Sequence, residues 1–219
     1  MQFCQSKTAG AVLPKQNCRG SFAPDLLDRV IRVADYVPGE PQPRTQIVRG
    51  RTQIVRGRTI VIGLGNPMLG DDSVGWRVAD EVEGLQRIAR DSGRSIPDVE
   101  IGRLGVGGLR LMECLTGYES AILVDAAEFR DRPIGEVCSC SLDELEDYAA
   151  GHLDSAHDAS LRTALALGRR LGASLPENIH AVTIQVRNTD VFSEELSPEV
   201  ADAVPVAVST VMSLLMANT

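Results

Sequence analysis

The spacing of apolar residues changes at Arg58, and from there it alternates between two periods. Residues 59–64 (Thr-Ile-Val-Ile-Gly-Leu) form a short, β-branched apolar run closed by glycine, which predicts a strand buried on both faces. Next, Val74, Val78, Val82, Leu85 and Ile88 fall on one face of a helical period, with charged residues between them. Residues 99–101 read as a second strand, and residues 107–115 as a helix through Leu109, Met112 and Leu115. The clearest strand is 120–126, where Ile122, Leu123 and Val124 run into Asp125. Strands over 135–141 and 179–186 and a helix over 161–171 follow. The last helix opens with Ser197 as N-cap and Pro198 at the first helical position. It presents Val200, Val204, Val208, Val211 and Leu215 on one face, with a bend expected at Pro205. Strands separated by helices predict an α/β fold: one domain over 58–219, with a twisted, mainly parallel sheet covered on both faces.

Residues 1–57 do not share this pattern. A short amphipathic helix is expected over 24–34, through Leu26, Leu27, Val30 and Ile31, before Pro38, Gly39, Pro41 and Pro43 break regular structure. Then residues 44–50 are repeated without change as 51–57. Two seven-residue copies are too few for a solenoid, whose stacked units must bury a shared core. A slipped duplication, or a start codon set too far upstream, accounts for the repeat more simply than a functional arm. The segment is expected to be a poorly ordered extension.

Composition narrows the chemistry. The chain has 219 residues, 43% of them hydrophobic and 24% charged, as an ordinary globular protein does. Acidic residues outnumber basic ones by 30 to 22, for a net charge of -8, so general binding to a nucleic-acid backbone is not expected. No apolar run approaches the roughly 18–20 residues that cross a bilayer, and the N-terminus lacks a secretory apolar core. Neither a nucleic-acid nor a membrane partner is expected. Five cysteines in no familiar disulfide spacing suit a reducing, cytoplasmic setting. Cys138 and Cys140, two apart, read as one face of a strand rather than half of a soft-metal site.

After the first strand comes Gly63-Leu64-Gly65-Asn66-Pro67, leading to Asp71, Asp72 and Gly75. A Gly-x-Gly at this place opens a dinucleotide fingerprint, but the third glycine of that pattern falls on Met68. Two carboxylates also stand where a pyrophosphate would sit, so the sign of the charge is wrong for it. Peptidyl-tRNA hydrolases open with a similar string, yet this chain has no histidine before His152.

With three histidines in all (His152, His157 and His180), the candidates for acid–base or metal chemistry are few. Asp72 follows the first strand, Asp125 ends the strand 120–126, and His157 precedes the helix at 161. Ligands of open α/β sheets gather beyond the carboxyl ends of the strands, so these three side chains are expected to meet there. Each also has a plainer role: Asp72 and His157 as helix caps, Asp125 as a hydrogen-bond acceptor for a neighbouring loop. His152 and His180 read as structural or exposed.

Together these blocks resemble the hydrogenase maturation protease family. The string Gly-Leu-Gly-Asn-Pro-x-x-x-Asp-Asp-x-x-Gly, the strand end Ile122-Leu123-Val124-Asp125-Ala126, the segment Ser155-Ala156-His157-Asp158 and residues 192–200 match four family blocks in order, over residues 58–215. The resemblance implies a single three-layer α/β domain of the phosphorylase/hydrolase-like type, with a five-stranded, mainly parallel sheet. It implies an endopeptidase that removes the C-terminal tail of a nickel-loaded [NiFe]-hydrogenase large-subunit precursor. It places the family's metal-contacting and catalytic residues on Asp72, Asp125 and His157, with nickel supplied by the precursor rather than held as a resident cofactor. Whether the cut is aspartic-type or metal-assisted stays open at this level. So does an alternative, a non-catalytic module of the same fold that binds and escorts such precursors. The chain departs from the family where many members carry Asp-Gly-Gly-Thr: residues 103–108 here are Arg-Leu-Gly-Val-Gly-Gly, and that change bears on substrate choice.

Overall fold

A computed structural model describes residues 45–48, 51–54, 58–129, 132–142 and 161–217. The helix expected over 24–34 lies outside the described residues. In the duplicated segment, β1 (Thr45–Val48) pairs antiparallel with β2 (Arg51–Ile54), so one copy of the repeat folds back on the other.

The remaining elements alternate in chain order: β3 (Thr59–Leu64), α1 (Val74–Asp91), β4 (Glu100–Leu104), α2 (Gly108–Cys114), β5 (Ser120–Ala127), β6 (Val137–Ser141), α3 (Leu161–Arg170), β7 (Asn178–Gln185) and α4 (Pro198–Ala217). The five strands β3 to β7 form one sheet in the order β4-β3-β5-β7-β6, parallel except for β6. The expected five-stranded, mainly parallel α/β domain is the one observed.

Both faces of the sheet are covered, and the two-residue period of the strands divides their side chains between them. Val61, Ile122, Val124, Val182 and Ile184 pack with the apolar stripes of α1 and α4. Ile60, Ile62, Ala121, Leu123 and Ile179 face the other way, onto Leu111 and Leu115 near α2 and Leu165 of α3. The predicted stripe of α1 holds: Val74, Val78, Val82 and Leu85 are fully buried, and Ile88 packs at the margin.

The path of the chain locates the site. From β3 it passes through α1 on one face to β4, then returns through α2 on the opposite face to β5, on the other side of β3. The strand order therefore reverses between β3 and β5. Diverging connections open a crevice beyond the carboxyl ends of those two strands, the place where open α/β sheets hold their ligands.

Two expectations need correction. First, β4 spans Glu100–Leu104 rather than 99–101, because parallel pairing from Ile60 to Leu64 carries Gly102 and Arg103 along as strand. Second, α4 has 20 residues and contains an 18-residue stretch with a mean hydropathy of 1.8, so one described helix is long and apolar enough to span a bilayer. Its Ser209, Thr210 and Ser213 broke the apparent run, but the Thr210 and Ser213 hydroxyls donate to backbone carbonyls one turn back, at 2.9 Å. The same helix buries Val200, Ala203, Ala207, Val208, Val211, Met212 and Leu215 against the sheet and α1, as a core helix does. Ser197 stands directly before α4 and its carbonyl accepts the N–H of Ala201 at 2.9 Å, as expected of an N-cap. Pro205 lies inside α4, which continues through it.

Candidate active site at the switch point

The turn after β3 is shaped by backbone constraint. Gly65 has φ +122°, and a Cβ there would lie 1.8 Å from the carbonyl oxygen of Asp72. A Cβ at Gly75 would come within 2.3–2.4 Å of the carbonyls of Leu64 and Val124. Glycine at these positions lets α1 start in contact with both β3 and β5. The loop that invites a nucleotide reading is thus a close-packed strand-to-helix turn.

That turn carries the paired acidic residues in a short 3-10 segment, Gly70–Ser73, and gives them different work. The Asn66 side chain accepts the N–H of Met68 at 3.0 Å, which folds the backbone so that the Asn66 N–H donates to Asp72 Oδ2 at 2.7 Å. Asp72 is thereby held beside the end of β3. Asp71 instead accepts from the backbone N–H and the hydroxyl of Ser197, at 2.6 and 2.9 Å. Asp71 anchors the start of α4. The sequence pattern does not distinguish this role of Asp71 from that of Asp72. The available signal was the Ser197-Pro198 helix start, whose serine hydroxyl is free to bond outside its own helix.

Asp125 follows the buried run Ala121 to Val124 of β5, two residues before the strand stops, and pairs in register with Thr183. Its carboxyl is pushed up to about 7. Burial is the leading cause, the negative charge of Asp72 adds to it, and the backbone N–H of Ala126 offsets part of the rise. Gly75, three residues after Asp72, packs on the carbonyl of Val124, next to Asp125, so two predicted site residues are close together at the switch point.

His157 lies outside the described residues, as does His152. His180 is near the amino end of β7, three positions before Thr183, which pairs with Asp125. At about 3.3 Å per residue that separates it from the carboxyl edge by roughly 10 Å. Its position accords with the structural role read for it. Among the described residues no set of three His, Cys, Asp or Glu side chains is arranged to hold a metal ion.

Buried polar groups fix the loops around the pair. Gln185, at the end of β7, accepts the N–H of Phe129 at 2.9 Å and donates to the carbonyls of Phe129 and Val186 at 3.1 and 2.9 Å. This clamps the segment after β5. The loop after β7 is tied to the turn after β3: Gly70 N–H donates to Ser193 O at 2.7 Å, and Arg77 donates to Glu194 O at 2.8 Å. Beside this junction an open cleft of about 350 Å³ is lined by Asp71, Arg187, Asn188, Glu195 and Ser197; neither Asp72 nor Asp125 lines it.

Fold and site define an α/β protein whose paired carboxylates stand at the switch point of a mainly parallel sheet. Comparison with known proteins makes this specific. The sequence model described as "Hydrogenase maturation protease" matches residues 81–214, more than half of the chain, including Asp125 and His157 and beginning after Asp72. Among solved structures, the hydrogenase maturating endopeptidase HybD from E. coli is similar, with 24% identity and a TM-score of 0.58, over 72% of this chain and 91% of that one. An endopeptidase from Escherichia coli solved in solution matches with 23% identity and a TM-score of 0.56, over 72% and 91% of the two chains. The [NiFe] hydrogenase maturation protease HycI from Thermococcus kodakarensis KOD1 matches with 22% identity and a TM-score of 0.51, over 74% and 93%. No curated protein matches in sequence. The chain belongs to the hydrogenase maturation protease family and is a peptidase.

Proposed function

We propose that this peptidase removes the C-terminal tail of a nickel-loaded [NiFe]-hydrogenase large-subunit precursor, and that Asp72, Asp125 and His157 hold the nickel carried in by that substrate. The observation that carries the proposal is the carboxylate pair: Asp72 and Asp125 come together where the strand order reverses, close enough for one charge to raise the other's pKa. Carboxylate and imidazole are suitable donors for a divalent nickel ion. Three such ligands leave coordination positions open, so the metal serves as a docking mark rather than a structural part of the enzyme. A precursor without nickel presents no anchor and is left uncut.

Without metal the Asp125 carboxyl is pushed up to about 7, which makes acid–base function of the pair, in aspartic-protease style, the alternative to metal-assisted cutting. The free thiols Cys114, Cys138 and Cys140 are compatible with work in a reducing cytoplasm.

The test is tail release from purified precursor, with and without nickel, followed by the mass of the large subunit. Wild type is expected to shorten only the loaded precursor. Asp72→Asn, Asp125→Asn and His157→Gln are each expected to slow release by about 100-fold or more. Full activity in all three variants, or equal cutting of the nickel-free precursor, defeats the proposal.

A further inference from the structure

Large apolar side chains are unevenly distributed over the exposed surface. Eight are exposed among the described residues, and five of them (Met68, Val106, Leu109, Val191 and Phe192) sit at the carboxyl edge of the sheet, in the loops after β3, β4 and β7 or at the first turn of α2. Phe192 is 77% exposed, an unfavourable place for a phenyl ring in a free protein.

Backbone hydrogen bonds connect both groups to the loop that carries Asp72. On one side, Met68 O accepts the N–H of Ser193, adjacent to Phe192, and Gly70 N–H donates to Ser193 O. On the other, Gly65 N–H donates to Leu104 O at 3.1 Å, which seats the segment leading to Val106 and Leu109. Val106 and Leu109 therefore lie on the β4 side and Val191 and Phe192 on the β7 side, and the strand order β4-β3-β5-β7 puts the ends of β3 and β5, where the carboxylate pair stands, between them.

We infer that this divided rim is the substrate-recognition surface, and that it takes an apolar segment of the precursor polypeptide lying across the carboxylate pair. The inference rests on the reading of the chain as a precursor-processing peptidase and adds what it recognises besides metal. A peptidase must bring a polypeptide to its reacting groups, so the surface continuous with those groups is the one a substrate chain covers. With a net charge of -8, the protein gives an acidic precursor segment no general electrostatic attraction. Burial of apolar area is the interaction that the rim offers instead.

The experiment uses full-length enzyme and the nickel-loaded large-subunit precursor of the same organism, fluorescently labelled. It measures binding by anisotropy, tail release by mass, and oligomeric state by light scattering. The variants are Phe192→Ser, Leu109→Ser and the double substitution. The control is Leu171→Ser, 76% exposed but located just after α3. Close to Leu171 in sequence, Ser174 accepts the N–H of Gly117, and both precede the amino ends of their strands, so the control lies at the opposite edge of the sheet.

Expected are a rise in Kd of roughly tenfold or more for the double variant, kcat within about threefold of wild type, and no change for the control. Unchanged Kd in the rim variants while wild type still releases the tail overturns this inference and leaves the proteolytic function intact. A wild-type dimer that the rim substitutions dissociate also overturns it, since a second copy then covers the surface. Binding without tail release, weakened by the rim substitutions, supports the inference and defeats the proposed reaction. Neither binding nor release defeats both.

Discussion

The carboxylate of Asp71 grips Ser197 twice, through its backbone N–H and its hydroxyl, across 126 residues of sequence. This joins the turn that presents Asp72 to the first residue before α4. The paired acidic string thus has one member facing the switch point and one holding the scaffold.

Loss of that tether is expected to cost stability. Asp71→Ala removes two charge-assisted hydrogen bonds at a half-buried junction, a loss of about 1–3 kcal/mol. Asp71→Asn keeps an acceptor for the Ser197 N–H and is expected to lose about half as much. The check is the urea midpoint at unchanged m-value. A wild-type midpoint for Asp71→Ala defeats the assignment.

Asp125 is expected to impose a pH dependence opposite to that of a salt-bridged carboxylate. Folded, it keeps its proton up to about 7; unfolded, it loses the proton near the ordinary value of 3.8. Between these values the folded state binds the extra proton, so stability falls as pH rises through the window and levels off above it. Asp125→Asn cannot ionise and escapes the penalty. The metal-free variant is expected to equal wild type near pH 4 and to exceed it above pH 7, by at most about 4 kcal/mol. Urea titrations of both proteins at each pH measure the difference. A constant difference across the window rejects the raised carboxyl.

Packing at the switch point predicts a third outcome. Gly75→Ala places a methyl group against the carbonyls of Leu64 and Val124, so α1 must move away from β3 and β5. A loss of about 1–3 kcal/mol is expected. Because Val124 precedes Asp125, tail release should fall further than the loss of folded protein explains. Activity per folded molecule, taken from circular dichroism and the cleavage assay together, checks this.

Several features were legible in the sequence because they depend on local periodicity. The continuous run of β3, the stripe on α1 and the apolar end of β5 needed no long-range information, and they located Asp72 and Asp125 at strand ends. Less legible were features decided by a distant partner. β4 is short of apolar residues and becomes a strand by pairing with β3. Ser197 is legible as the residue that opens α4, but its bond to Asp71, far away in sequence, is not. Thr210 and Ser213 interrupt the apolar sequence of α4, yet their hydroxyls bond back to the helix itself. Adjacent Asp71 and Asp72 could not be told apart by spacing, because a 3-10 turn directs neighbouring side chains to different partners.

Asn66 offers the sharpest test of how the site is held, because it acts on Asp72 through backbone rather than side-chain contact. Its Oδ1 closes the turn on Met68, and the turn aims its own N–H at Asp72. Asn66→Ala removes the closing acceptor and frees the turn, so the Asp72 carboxylate loses its fixed orientation. Asn66→Asp keeps an acceptor for Met68 but brings a third negative charge to the Asp72–Asp125 pair. The two substitutions should therefore separate geometry from charge. For Asn66→Ala the expected result is weaker capture of the nickel-loaded precursor, by about 10-fold, with little change in the Asp125 titration. For Asn66→Asp the turn survives and the Asp125 midpoint moves further upward, since a like charge disfavours ionisation. Carboxyl carbon NMR of the metal-free enzyme reads the midpoint, and anisotropy reads the capture. If both variants titrate and bind as wild type does, the turn does not position Asp72.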